Sequence, residues 1–171
     1  MIFFFLSCTQ NPSQTDPFQE VCLTEAAPLR RLSAQQYQTS ISEIFSVEVP
    51  ASLLPQTTKG KDFRTWSVSN PLSPSTIESM MNAAEYVVEH IDIGEQSDCA
   101  IDDVPCLQEW IFMIGTSAFR RPIREEESEQ LSLFFSVGLS PQEAAQNTIM
   151  LILQHPSFLY YDGLIPTSEP Q

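Results

Sequence analysis

Apolar residues recur along this chain at helical spacing, in blocks that begin at capping residues and end at prolines or glycines. The clearest block places Ile77, Met80, Met81, Ala84, Val87, Val88 and Ile91 on one stripe. A 3.6-residue period of this kind makes a surface that a helix can bury only against other apolar surfaces. Four further blocks share the pattern. The expectation is an all-α fold, an orthogonal bundle of about five helices with one long irregular connector.

Local signals set the boundaries. Ser33 can cap a first helix while Gln36 answers three residues on, with Leu32 and Tyr37 spaced as a hydrophobic staple and Tyr37, Ile41, Ile44 and Phe45 as its stripe. The second helix starts around Ser73 to Ser75, with Pro74 suited to a first turn. Between them, 47–73 holds Pro50, Pro55, Gly60 and Pro71 without a sustained period; it reads as a connector laid on the bundle by Leu53, Leu54, Phe63 and Trp66. After Gly94 comes an acidic loop, Glu95 to Asp103. The third helix, about Val104 to Phe119, is apolar over most of its girth, which predicts a central position. Pro122 disfavours helical geometry at Arg121 and ends it. A fourth helix, Glu125 to Val137, opens with three glutamates where the macrodipole favours negative charge. Ser140, Pro141 and Glu143 open a fifth, which Pro156 stops after Gln154.

With 171 residues, 22 acidic and 8 basic, the formal charge is -14. Affinity for nucleic acid or anionic lipid rests on clustered Lys and Arg, so this balance excludes nucleic acid as a partner. Contact with a membrane is expected only through a lipid anchor. The opening Met-Ile-Phe-Phe-Phe-Leu-Ser-Cys resembles a bacterial lipobox, with Cys8 the acylated residue and the polar stretch behind it a tether, although a basic n-region is missing. The organisation expected is an apolar start and tether over 1–27, a helical module over 28–163 and a disordered tail over 164–171.

Three strings carry a resemblance. Leu29 to Tyr37, with Arg30, Arg31 and Tyr37, resembles an LRRLTxxEY opening. Ala118-Phe119-Arg120-Arg121-Pro122-Ile123 resembles AFRRPL, and His155-Pro156-Ser157-Phe158-Leu159-Tyr160 resembles SPxFLYR. Together they are similar to the N-terminal portion of planctomycete and myxobacterial extracytoplasmic multidomain proteins, built of domains of unknown function and sometimes associated with cytochrome-c-like domains. Departures exist: Arg124 stands where that family has a capping Thr or Ser, and Tyr161-Asp162 replaces its Arg-x-Glu. Family members continue through further domains, so this chain reads as a fragment, a broken gene product or a reduced relative.

The resemblance implies an extracytoplasmic, outer-membrane or cell-surface lipoprotein. Cys99 and Cys106 sit where many members have a cysteine pair, and an oxidising compartment invites a disulfide; a loop so short is worth roughly 2.5 kcal/mol on chain entropy. A redox-active pair, free thiols or a pairing with Cys22 remain the alternatives.

No residue set stands out as catalytic, cofactor-binding or metal-ligating. Cys22, Cys99, Cys106 and a histidine match no zinc spacing, and covalent haem needs a Cys-x-x-Cys-His that is absent. His90 and His155 lie near helix ends, where capping suffices. Asp98, Asp102 and Asp103 lack the spacing of a calcium loop and read as solvated acid. Arg120 and Arg121 are expected to pair with Glu125 to Glu127 or to bind exposed carbonyls of the third helix, a role gripping another domain being the functional alternative. A carboxylate pair facing across a cleft stays open, since sequence does not reveal such a separation. The function expected is a non-catalytic structural or interaction module, its partners being missing C-terminal domains or another envelope protein. The alternative is the N-terminal piece of an extracytoplasmic haem- or cytochrome-linked oxidoreductase whose active site lies outside this chain.

Overall fold

The computed structural model describes residues 30–55 and 73–161. Among them the order is β1 (Arg30–Arg31), α1 (Ala34–Phe45), α2 (Pro74–His90), α3 (Ile93–Ser97), α4 (Val104–Phe119), α5 (Glu125–Ser136), α6 (Pro141–Gln154), α7 (Pro156–Leu159) and β2 (Tyr160–Tyr161). The fold is all-α, with a two-stranded ladder as its only sheet among the described residues. Cys8, Phe63, Trp66 and the two terminal segments lie outside the described residues.

The capping chemistry works as the sequence suggests. Gln36 N–H donates to Ser33 Oγ (3.2 Å) and Ser33 N–H to Gln36 Oε1 (2.9 Å), so two orphan donors at the start of α1 are satisfied reciprocally. Ser140 and Glu143 form the same box at α6, with bonds of 3.0 and 3.3 Å. Leu32, Tyr37, Ile41 and Phe45 are all buried. Beyond α1 the chain turns through a left-handed Ser46 and then extends. Val47, Val49 and Leu54 are buried and Glu48 is exposed, so this part of the connector lies on the core as an apolar belt.

The core joins both halves of the chain. α6 packs on α2, α4, α5 and α7, while α4 also reaches α1, α3 and α7, which places α4 centrally as expected. Gln146 Nε2 donates to Val88 O (3.1 Å), and buried Thr148 donates from Oγ1 to Ala144 O (2.8 Å) and Leu131 O (3.3 Å). Gly115 permits the close approach of Ile123 and of α5: a Cβ there would stand 2.8 Å from Ile123 Cδ1 and 3.1 Å from Leu131 Cδ1.

Several expectations need correction. The buried face of α2 runs through Met80, Ala83, Ala84, Val87 and Val88. Ile77 and Met81 stand 47% and 42% exposed. The small Ala83 and Ala84 let α6 come close, which turns the two bulkier side chains outward. Part of the acidic loop is helical, because Asp92 caps α3 by accepting from Glu95 N–H (2.9 Å). Among the described residues there are therefore five long helices and two short ones. Pro156 ends α6 but starts α7, and the chain then enters β2, antiparallel to β1 with Arg30 opposite Tyr161 and Arg31 opposite Tyr160.

Candidate functional site: the arginine corner of α4, α5 and α7

α4 stops at Phe119 because Pro122 cannot continue it; Arg120 adopts the left-handed conformation (φ 59°) and donates its N–H to Ser117 O (3.3 Å). The sharp exit points consecutive arginines in different directions. Arg121 forms a two-pronged ion pair with Glu127, Nη2 to Oε1 at 2.6 Å and Nη1 to Oε2 at 2.8 Å. Arg120 Nη1 donates to Phe158 O at 3.3 Å, and its guanidinium lies 4.6 Å from the Tyr161 ring centre and 5.7 Å from that of Phe158. The expected pairing with the α5 glutamates therefore holds for Arg121. Arg120 instead reaches across to α7, because the left-handed turn aims it away from α5.

Glu127 collects the rest of the corner. Arg124 N–H donates to Oε2 (2.9 Å) and Ser157 Oγ–H to Oε1 (3.2 Å), while Arg121 Nη2 also donates to Ser157 Oγ (2.8 Å). Three stretches, the α4 exit, the first turn of α5 and α7, thus close on one carboxylate that is only 8% exposed. The Arg121 hydrogen bonds, then the Arg124 N–H, the Arg121 charge and the Ser157 hydroxyl, hold its pKa down at about 2 against burial, which acts upward.

His155 ends α6 and caps α7: its Nδ1 accepts from Ser157 N–H (3.1 Å), which leaves the ring proton on Nε2 when the imidazole is neutral. Its ring packs 4.7 Å from Phe119. Burial lowers its pKa, with Glu127 acting upward and Arg121 downward. Serine, histidine and carboxylate are neighbours here without being a hydrolytic triad. The Ser157 hydroxyl proton points at a carboxylate too weakly basic to take it, and the histidine nitrogen nearest Ser157 holds a backbone N–H.

Motif residues distant in sequence meet around α7. Leu32 N–H donates to Leu159 O (2.8 Å), continuing the clasp between β1 and β2. The rings of Tyr37 and Phe158 lie 5.6 Å apart. Arg31 is 1% exposed; burial lowers its pKa and the Tyr160 hydroxyl acts the other way. The Tyr37 hydroxyl is buried without a hydrogen-bond partner among the described residues, and burial raises its pKa.

The opposite end of α4 carries the acid. Asp103 caps the helix, Oδ1 accepting from Cys106 N–H (3.2 Å), and Asp98 ends α3. Asp98 and Asp103 are thus helix-end residues, a role the solvated-acid reading missed although an Asp three residues before Cys106 is a capping signal. Cys99 and Cys106 are disulfide-bonded, with Cα atoms 5.9 Å apart. Nearby, an open depression of about 410 Å³ is lined by Glu89, His90, Asp92, Ile101 and Gln142, among others. His90 Nδ1 bonds Tyr86 O (2.8 Å) and its ring stacks on Tyr86 at 3.8 Å, in keeping with a helix-end role. Among the described residues no group of three or more His, Cys, Asp or Glu could hold a metal ion. No described helix is long and apolar enough to cross a membrane.

Fold and corner define an all-α module whose two halves are clasped by β1 and β2 and locked by a buried arginine–carboxylate brace. Within that class, residues 30–92 match the family described as PSD3, protein of unknown function (DUF1587), and residues 106–162 match PSD5, protein of unknown function (DUF1595). The two matched stretches share one hydrophobic core. No curated protein and no solved structure matches the chain.

Proposed function

We propose that this chain is a non-catalytic structural or interaction module of a bacterial cell-envelope lipoprotein, anchored through Cys8 and joined to further domains or to another envelope protein. One observation carries the non-catalytic part: the cluster that brings serine, histidine, carboxylate and arginine together among the described residues spends the Ser157 hydroxyl, both Glu127 oxygens and His155 Nδ1 on each other, on Arg121 and on backbone. A carboxylic acid with a pKa of about 2 is a poor proton carrier near neutrality, where acid–base catalysts work best. The anchor rests on the lipobox-like order ending at Cys8, and the envelope setting on the resemblance of the three strings.

Two measurements test the reading. A panel of glycosides, esters and phosphoesters should give no turnover above background; turnover abolished by His90→Ala or His155→Ala overturns the non-catalytic part. In a bacterial host, the chain should enter the detergent phase and Cys8→Ser the aqueous phase; equal partition of the two removes the anchor.

A further inference from the structure

The described residues contain five basic side chains, Arg30, Arg31, Arg120, Arg121 and Arg124, and all belong to β1 or to the segment between α4 and α5. Arg31 is buried and Arg121 is committed to Glu127. Arg30, Arg120 and Arg124 are exposed, and the first two are placed on the face that carries Tyr161. Arg30 is the cross-strand partner of Tyr161, and directly opposed residues project to the same face with Cβ atoms about 5 Å apart. The Arg120 guanidinium lies over that same ring at 4.6 Å. Among the described residues the one ion pair is Arg121–Glu127, so neither Arg30 nor Arg120 has a carboxylate there.

We propose that the face formed by Arg30, Tyr161 and Arg120 is a docking surface for a carboxylate-bearing segment of another protein. Arg120 is already positioned by Phe158 O and two aromatic rings, so little freedom is lost when its remaining N–H groups take a carboxylate in their planar fork. Two cations on one face repel each other, and an incoming anion relieves that repulsion. Charge distribution favours a short acidic segment over an extended polyanion. Acid dominates the rest of the described surface, with Glu125, Glu126 and Glu129 exposed on α5. Nucleic acid or an anionic bilayer spreads its charge over that acid as well as the arginines; a segment with two or three carboxylates meets less of it, since at about 0.1 M salt charges farther than about 10 Å are screened.

The inference names a partner chemistry for the interaction-module reading and rests on it. Its test uses binding alone, so it fails separately from the turnover and partition tests above. The probe is a dye-labelled six-residue peptide of alternating glutamate and glycine with an amidated C-terminus, titrated with the full chain at about 0.1 M salt and followed by fluorescence anisotropy. The glutamate peptide should bind and its glutamine counterpart should not. Arg30→Gln and Arg120→Gln should each weaken binding about three- to tenfold, and the double variant should abolish it with an unchanged circular dichroism spectrum. Absence of binding, equal binding of the two peptides, or retention by a folded double variant overturns the proposal. So does arginine-dependent self-association in sedimentation, which assigns the face to a second copy, or arginine-dependent pelleting with phosphatidylserine vesicles, which assigns it to a membrane.

Discussion

The two ends of α4 are closed by opposite means. At its start, a covalent Cys99–Cys106 link and an Asp103 cap work within a short stretch of sequence. At its finish, Arg120 and Arg121 gather α5, α7 and, through Tyr161, the β1–β2 clasp. The helix spans 16 residues, which is about 24 Å, with acid at its N-terminus and arginine at its C-terminus, the order its macrodipole favours. The acid end is fastened locally. The basic end holds segments from both matched stretches together, so damage there should propagate farther.

The middle of the helix sets the scale. Trp110 is 6% exposed, and Trp110→Ala should cost about 3 to 5 kcal/mol in denaturant unfolding, as large aromatic truncations do. A loss below about 1 kcal/mol would show that the helix is secured by its ends.

Next in size is the basic end. Arg121→Ala leaves the Glu127 carboxylate buried without its main partner; discounted for the partial exposure of the arginine, the loss should be about 2 to 4 kcal/mol. Glu127 also gives this end a pH signature. Its pKa falls from an ordinary 4.5 to about 2 on folding, so its contribution, about 3 kcal/mol, is complete above pH 4.5 and is lost as pH falls toward 2. The stability gap between the parent and Glu127→Gln should close over that window. A gap independent of pH would mean that shape, not charge, holds the corner.

The acid end should respond to redox conditions. Replacing Cys99 and Cys106 by serine, or reducing the bond, should cost about 2.5 kcal/mol through the unfolded chain, with the arginine corner intact by the Glu127 pH signature. Loss of that signature on reduction would show that the two ends are coupled along α4.

This contrast also explains what was legible in the sequence. The five long helices were readable because each boundary is written within a few residues: Ser33 with Gln36, Ser140 with Glu143, Pro122 after Arg121. The disulfide was readable from the closeness of the two cysteines together with the expectation of an oxidising compartment. The clasp was not, because Arg30–Arg31 and Tyr160–Tyr161 are two-residue strands at opposite ends of the described chain and have no period to detect. Nor was the outward turn of Ile77 and Met81, since periodicity marks a stripe and leaves open which side of it a neighbour covers. At the corner, Arg121–Glu127 followed from closeness in sequence. The joining of Ser157 and the turning of Arg120 to Phe158 depend on the left-handed Arg120 and the restart of helix at α7, which no local signal announces.

The smallest expected effect concerns Arg124, where the similar family carries a capping Thr or Ser. Arg124 already has the extended backbone of an N-cap (φ -78°, ψ 162°), and Glu127 accepts its N–H at 2.9 Å, yet its side chain caps nothing. Half of a capping box is therefore in place, and an arginine, which has no acceptor, cannot supply the other half. Arg124→Ser provides a hydroxyl for the Glu127 N–H and should stabilise the chain by about 0.5 to 1 kcal/mol in denaturant titration. The gain should survive at pH 2.5, because the new bond uses a hydroxyl and an amide, while the older half of the box weakens as Glu127 takes up its proton. A neutral or destabilising result would show that the Arg124 side chain contributes at the basic end more than a helix cap is worth.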